Sequence, residues 1–238
     1  MTQRTRRSGE QFGAVSTVRD SFARVAGFRR ALRSVTHGLR RGLNSCARFA
    51  SFPEPLWLHR NKVLTSYLRL HLDILFVGLN PPTQSNDNGH YFSGSNSRFF
   101  HLLYRSGLVT ADLPKSNADE IVFGLTRVNY KSCSYGVVDL VEDIIQTDSR
   151  KVRPKPEHVG SLLGKVCEYE PRFVCVIHCK VRKALNSRSY LTKPLGYGIC
   201  GPLLRGSDSN FVLNYFPNGN NLADERKLEI FRALRDAL

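Results

Sequence analysis

Four short apolar segments, each followed by a helical pattern, set the strongest limit on how this chain can fold. The segments are residues 73–79, 135–141, 172–178 and 210–216. Strands that are apolar on both faces are typical of parallel sheets covered by helices on both sides. The sequence therefore predicts an α/β fold, a three-layer α/β/α sandwich around a central, mainly parallel four-stranded sheet.

Helical patterns separate these segments and close the chain. They cover residues 97–107, 154–170, 180–185 and 221–238. Gly107 stands where the first of these helices would stop, and Asn221 is a candidate N-cap for the last. In parallel α/β sheets, ligands bind beyond the carboxyl ends of the strands. This rule selects the loops that follow Leu79, Val141, His178 and Phe216.

The first 52 residues differ in composition from the rest of the chain. They contain eleven arginines, no lysine and two acidic residues, so +9 of the net charge of +15 lies there. Their apolar residues recur every three or four positions, which is typical of a helix. Four interpretations remain open: an organelle transit peptide, a cationic arm on DNA, an amphipathic helix docked on the body, and sequence upstream of the working protein. We predict an Arg-rich basic extension over 1–52 and one domain over 53–238.

The six cysteines form no CxxC pair. Cys175 and Cys179 flank His178, an arrangement that resembles a metal site at first sight. The surrounding segment is predicted to be a strand, however, where alternate side chains share a face. Small buried thiols in a reducing compartment explain the cysteines better. The cysteines therefore predict no metal site. No cofactor is predicted either. The apolar runs are also far shorter than a membrane span, so no membrane partner is predicted.

Two of the selected loops have residues suited to nucleic acid. The loop at 78–97 is long and polar, and Pro81 and Pro82 are expected to prevent a helix from starting at once. The loop at 215–221, YFPNGNN, leads into the last helix, where free backbone N–H groups suit a phosphate. Aromatic residues in polar loops stack on bases, and a basic protein attracts phosphate polymers. These features favour nucleic acid or a nucleotide over lipid, although Pro-Asn-Gly is also ordinary turn chemistry.

The same segments resemble a known family. GLNPPTQSNDNGHYFSGSNSRFFHLLYRSGL resembles the first motif of the mismatch-specific uracil/thymine-DNA glycosylases. YEPRFVCVIHCKVRKAL is similar to their central strand and helix, and YFPNGNN falls at their phosphate loop. The similarity extends over roughly residues 55 to 238, in order and with comparable spacing. It implies a member of the uracil-DNA glycosylase superfamily, a monomer that excises uracil or a related deaminated base from uracil-containing or mismatched DNA in base excision repair.

The resemblance implies which residues are catalytic. Asn80 matches the asparagine that positions the attacking water; a turn cap is its other interpretation, since an amide cannot ionise and is a poor general base. Asp139 lies where the family has an asparagine at the end of the second strand. Its carboxylate would accept a hydrogen bond from uracil N3–H, act as the base, or cap a neighbouring loop. Asp87 is a weaker candidate for the base. The motifs have no evident Schiff-base lysine, so we predict hydrolysis without strand cleavage.

The resemblance also implies residues that bind the base and the DNA. Phe92 matches the aromatic that stacks on the flipped base, or it is a core aromatic beneath the loop. His90 contacts the base edge or only the backbone, while Asn220 or Leu222 would fill the space that the base vacates. The predicted substrate contacts are Gly78, Leu79, His90, Phe92 and Asn218. The predicted DNA contacts are Pro217, Gly219, Asn220 and Leu222.

Three of the departures from the family pattern put the catalytic activity in question. Pro82 replaces a glycine and removes a backbone N–H, Asn218 replaces a serine, and Phe216 stands where more reactive branches have a histidine. These departures motivate an alternative, a non-catalytic protein that binds uracil-containing or abasic DNA. An enzyme that acts on free nucleosides is a third alternative, which the basic charge disfavours. DNA repair implies the cytoplasm and nucleoid or a nucleus, and a transit peptide would imply an organelle.

Overall fold

In the computed structural model, residues 63–218 and 222–238 are described, and they contain one five-stranded sheet. The predictions for residues 1–52, and those for Gly219, Asn220 and Asn221 themselves, lie outside these ranges. The strands are β1 (Ile74–Gly78), β2 (Tyr135–Asp139), β3 (Phe173–Val176), β4 (Gly198–Pro202) and β5 (Asn210–Leu213). Their order across the sheet is β2-β1-β3-β5-β4.

The predicted α/β fold is confirmed. Strands β2, β1, β3 and β5 are the four predicted ones, and each pairs in parallel with its neighbour. The sheet has a fifth strand, β4, which pairs antiparallel with β5 at the edge and which the sequence did not predict. Its residues, GICGP, are only partly buried and include two glycines and a proline. Such a segment lacks a continuous apolar run, because an edge strand is covered less completely than a central one.

Residues 63–218 and 222–238 contain five α-helices. They are α1 (Thr83–Asn88), α2 (Phe99–Ser106), α3 (Pro156–Tyr169), α4 (Cys179–Leu185) and α5 (Asp224–Asp236). Helices α2 to α5 confirm the predicted ones, and α2 ends at Gly107 in the left-handed conformation, with φ of 77°. Helix α5 begins at Asp224, so Ala223 occupies the N-cap position predicted for Asn221. None of the helices in the two described ranges is long and apolar enough to cross a membrane.

Helix α1 corrects the prediction that the two prolines prevent an early helix. The helix starts at Thr83, directly after Pro82, whose φ of −71° is normal for its fixed ring. The carbonyl oxygen of Pro82 accepts the first helical hydrogen bond, from the backbone N–H of Asn86 at 2.9 Å. Proline lacks an N–H that would be unpaired at a helix start in any case, so it is tolerated there. The loop at 78–97 is therefore a turn, a short helix and a second turn.

Two layers of apolar side chains cover the sheet on its opposite faces. Alternate residues of β1 point to opposite layers, with Phe76 in one and Val77 in the other. The first layer contains side chains of α2 and α5, and Phe76 contacts Phe99 and Phe231 edge to face at 5.2 Å and 6.4 Å between ring centres. The second layer contains side chains of α3 and α4. All five residues of β1 are buried, which explains why the sequence there is apolar on both faces.

Candidate active site

A pocket of about 210 Å³ opens at the carboxyl edge of the four parallel strands. Its walls come from the loops after β1, β2, β3 and β5, from α1, and from the loop before α2. The lining residues that matter for the chemistry are Gly78, Asn80, Asp139, His178, Phe216 and Asn218. The sheet topology thus brings side chains together that are up to 140 positions apart in the sequence. The strand-end rule placed this pocket correctly.

The side chain of Asn80 is held by its amide nitrogen. Nδ2 lies 3.1 Å from the carbonyl oxygens of Pro81 and Ile144 and 2.8 Å from that of Gln146, and it donates to them. The residue is 9% exposed and lines the pocket. Because these contacts orient the amide, Oδ1 is the atom left to accept a hydrogen bond; no donor to it lies in the described part of the chain. An oriented acceptor of this kind can hold a water molecule.

The carboxyl group of Asp139 lies against Gly78. The two residues are opposite each other in the β1–β2 register, and a Cβ atom at Gly78 would lie 2.2 Å from Oδ1 of Asp139. Asp139 is buried and lines the pocket, and its carboxyl group has no hydrogen-bond donor among residues 63–218 and 222–238. Burial, and then the negative charge of Glu142, raise its pKa to about 7, against the opposing effect of Lys165. The pocket therefore contains a carboxyl group that titrates near neutral pH.

Replacing Gly78 with alanine should destabilise the protein, because the added methyl group would overlap Oδ1 of Asp139. We expect a loss of about 1–3 kcal/mol in the free energy of unfolding, as for overpacking in a tight core. The double variant Gly78→Ala/Asp139→Ala should recover most of it, since the second change removes the carboxyl group that the methyl meets. Urea unfolding of both single variants and the double variant measures this coupling.

A matched control for Gly78→Ala is Gly160→Ala. Gly160 lies on an exposed position of α3, where a Cβ atom would meet nothing within 4 Å. Alanine is a better helix former than glycine, so this variant should unfold no more easily than the wild type. If the losses of Gly78→Ala and Asp139→Ala simply add in the double variant, the close approach of these two residues is wrong.

His178 is a pocket residue whose role the sequence did not predict. It stands at the N-cap of α4, and its Nδ1 accepts a hydrogen bond from the backbone N–H of Lys180 at 3.1 Å. The proton of the neutral ring is therefore on Nε2. Burial, and then the charge of Lys180, lower the pKa of His178 to about 4, so the ring is neutral at physiological pH. The sequence signal that pointed to the pocket was its position at the end of the predicted third strand.

This histidine changes the meaning of the departure at Phe216. The ring of His178 contacts that of Phe216 edge to face, with 5.1 Å between ring centres. Phe216 lines the pocket and is 43% exposed. No imidazole was expected here, because in the resemblance Phe216 stands where more reactive branches have a histidine. The tertiary structure supplies an imidazole there from the neighbouring strand.

Of three candidate residues in the first loop, one lines the pocket and two do not. Phe92 lines the pocket while its ring stacks on Phe99, with 3.9 Å between ring centres, so it is both a core aromatic and a wall of the pocket. His90 does not line the pocket, because its Nδ1 is 3.0 Å from Oδ1 of the buried Asp119. Asp87 is exposed on α1 and also lies outside the pocket wall. The predicted contact of His90 with the base therefore has no support in this geometry.

The second loop is tied to two helices by one side chain and one backbone carbonyl. Oδ1 of Asn218 accepts a hydrogen bond from the backbone N–H of Arg98 at the start of α2, at 3.0 Å. The carbonyl oxygen of Pro217 accepts one from Nζ of Lys227 on α5, at 3.0 Å. Pro217 and Asn218 line the pocket, as does Leu79, whereas Leu222 is half-buried and does not. The part of this loop next to the pocket is thus fixed in place.

Basic side chains of α2 and α5, and one just before α2, lie around Asp224 on α5. The carboxylate of Asp224 pairs with Arg98, with Arg105 at 3.5 Å and with Lys227 at 3.4 Å. Arg98 and Arg105 are partly exposed and share this one carboxylate, so positive charge remains at the surface, where it attracts phosphate groups. The first turn of α5 itself contains two acidic residues, so the predicted phosphate site at its N-terminus is less favourable than the arginines of α2.

The residues around His178 do not form a metal site. Cys175 is buried in β3, whereas Cys179 is exposed on α4. Within residues 63–218 and 222–238, no group of three histidine, cysteine, aspartate or glutamate side chains is placed to hold a metal ion.

No family model matches the sequence, and no curated protein is significantly similar to it. The functional assignment therefore depends on the side chains of the pocket.

Proposed function

We propose that this protein is a monofunctional DNA glycosylase that removes uracil or a related deaminated base from DNA by hydrolysis. The observation that supports it best is the pairing of an oriented amide, Asn80, with a buried carboxyl group, Asp139, in one pocket at the strand ends. The motifs that resemble the uracil-DNA glycosylase superfamily provide two of the loops that form this pocket. The pocket volume of about 210 Å³ suits a single base turned out of the helix rather than a base pair.

Asn80 and Asp139 have complementary roles in the proposed reaction. The bond between C1′ of the sugar and the base breaks, and its electron pair leaves with the base. A water molecule held by Oδ1 of Asn80 attacks C1′, and its proton passes to the carboxylate of Asp139. A pKa of about 7 is well matched to a general base that works at neutral pH. Asn80 orients the water but does not ionise.

His178 and Phe92 act on the base itself. The Nε2–H of the neutral His178 ring donates a hydrogen bond to a carbonyl oxygen of the base, where negative charge develops as the bond breaks. The ring of Phe92, supported on one face by Phe99, stacks on the base. A fixed donor and a supported ring require little rearrangement during the reaction. Arg98 and Arg105 attract the neighbouring phosphates.

A second candidate is a protein that binds uracil-containing or abasic DNA without cleaving it. The contacts of Asn80 favour this alternative, because its amide nitrogen also fastens the backbone of residues 144–146 to the first loop. This structural role is enough to explain the asparagine at position 80 without a catalytic role. Both candidates require DNA binding, and only base release separates them.

The test is a single-turnover assay on oligonucleotides with the full chain in excess. Uracil is placed in a single strand, opposite guanine and opposite adenine, and further substrates contain hypoxanthine or xanthine. We expect release of at least one base, with strand breaks only after alkali and no protein–DNA imine trapped by borohydride. Asn80→Ala protein, purified identically, controls for contaminating glycosylases. Binding without release would favour the second candidate, and absence of both would reject the two together.

A further inference from the structure

A second recess, of about 420 Å³, lies beside the edge strand β4. It is bounded by the residues just before and at the start of β4, by the residue after Asn214, and by α5. The side chains that define it are Tyr197, Tyr215, Arg226, Glu229 and Ile230. None of them lines the candidate active site.

The two tyrosines form a stacked pair at the surface. Their ring centres are 4.0 Å apart and the planes differ by 17°, while Tyr197 is 44% exposed. Neither ring belongs to the apolar layers on the two faces of the sheet. The guanidinium carbon of Arg182 lies 5.3 Å from the ring centre of Tyr197, within the range of a cation–π contact. Tyrosine is enriched at interfaces, because its ring is apolar and its hydroxyl group can stay in water.

The recess is a close neighbour of the candidate active site. Tyr215 directly precedes Phe216, which lines the pocket, and consecutive Cα atoms are about 3.8 Å apart. Arg182 and Arg226 provide positive charge beside the stack, and Glu229 is the single acidic residue among those that line the recess. Planar faces combined with cations suit a nucleotide, which has a planar base and a negative phosphate.

We propose that this recess binds an unpaired base of the DNA strand next to the nucleotide in the pocket, stacked on the tyrosine pair with its phosphate near Arg182 or Arg226. The inference rests on the proposed function, since it assumes DNA at the neighbouring pocket. Bases inside a duplex are stacked on each other and offer no free face. The proposed contact therefore requires that the strand be unpaired beside the target base, and it predicts a preference for single-stranded substrates.

The test measures binding of a fluorescently labelled, uracil-free single strand to full-length wild type and Tyr197→Ala. We expect the variant to bind about tenfold more weakly, since stacking of a base on an aromatic ring is worth that much or more. A strand of equal length and charge made of abasic nucleotides should bind both proteins equally. Tyr197→Phe, which keeps the ring, should bind like the wild type. Tyr215→Ala provides a second variant should Tyr197→Ala unfold.

The matched control is Tyr104→Ala. Tyr104 is 42% exposed on α2, nearly the same as Tyr197, and it is not part of the stack. Equal binding of the single strand by wild type and Tyr197→Ala would overturn the proposal, as would an equal loss on the abasic strand. Base release by the wild type is measured separately. If Tyr197→Ala weakens binding of the single strand but the wild type releases no base, the glycosylase is rejected and the recess proposal stands. If the wild type releases base but Tyr197→Ala binds the single strand normally, only the recess proposal is rejected.

Discussion

Replacing Asp139 with asparagine is expected to stabilise the protein relative to the wild type progressively as the pH rises from about 4 to about 7. The carboxyl group titrates near pH 3.9 in an unfolded chain, and burial raises its pKa to about 7 in the folded protein. Between these values the folded wild type keeps a proton that the unfolded chain has lost, so its stability falls with increasing pH. Asparagine cannot ionise, and the variant does not incur this loss.

The size of the effect follows from the same pKa difference. A separation of about three pH units corresponds to about 4 kcal/mol when it is fully expressed, which sets the upper limit. Urea unfolding of wild type and Asp139→Asn at pH 4.5 and pH 7.5 measures the change. His178 is present in both proteins, so its own titration cancels in the comparison. If the free energy of unfolding changes with pH equally in the two proteins, the folded structure does not disfavour the charged form of Asp139.

The control for Asp139→Asn is Asp87→Asn. Asp87 is exposed on α1 and is the other carboxylate that the sequence suggested as a base. The control variant should follow the wild type in stability at both pH values. It should also release base at the wild-type rate, whereas Asp139→Asn should release it more slowly at pH 7.5. A slow Asp87→Asn with a normal Asp139→Asn would transfer the role of the base to Asp87.

Replacing Asn80 with alanine is expected to slow base release at least about 100-fold in single-turnover experiments, with DNA affinity within a few-fold of the wild type. The variant loses the oxygen that holds the attacking water, and it also releases the carbonyl groups of Ile144 and Gln146. Asn80→Asp separates these effects. It retains an oxygen acceptor for the water but places a carboxylate against carbonyl oxygens, so it should destabilise the loop.

The control for Asn80→Ala is Gln146→Ala. The side chain of Gln146 also lines the pocket, and its Oε1 accepts a hydrogen bond from the backbone N–H of Asp148 at 3.0 Å. This variant leaves the backbone carbonyl that contacts Asn80 in place, so it should release base at close to the wild-type rate. Unchanged release by Asn80→Ala would remove Asn80 from the mechanism and favour its role as a turn cap.

Local sequence patterns predicted most of the fold. The four parallel strands have apolar residues on both faces because they are covered on both sides, and this produces continuous apolar runs that do not depend on distant residues. Strand β4 and helix α1 were missed for the opposite reason. One is a half-exposed edge strand with glycines, and the other begins directly after Pro82, where helix and turn have the same local signal.

The sequence by itself determined the α/β fold and the edge of the sheet where the pocket lies, because strands and strand ends are local features. Asn80 and Asp139 became candidates through the resemblance of the motifs that contain them. Only the tertiary structure decided the state of each group. The pKa of Asp139 is set by its burial against Gly78, that of His178 by its burial, and the orientation of Asn80 in part by two carbonyl groups more than 60 residues away. Burial and hydrogen bonding depend on which distant segments meet, and no local pattern specifies that.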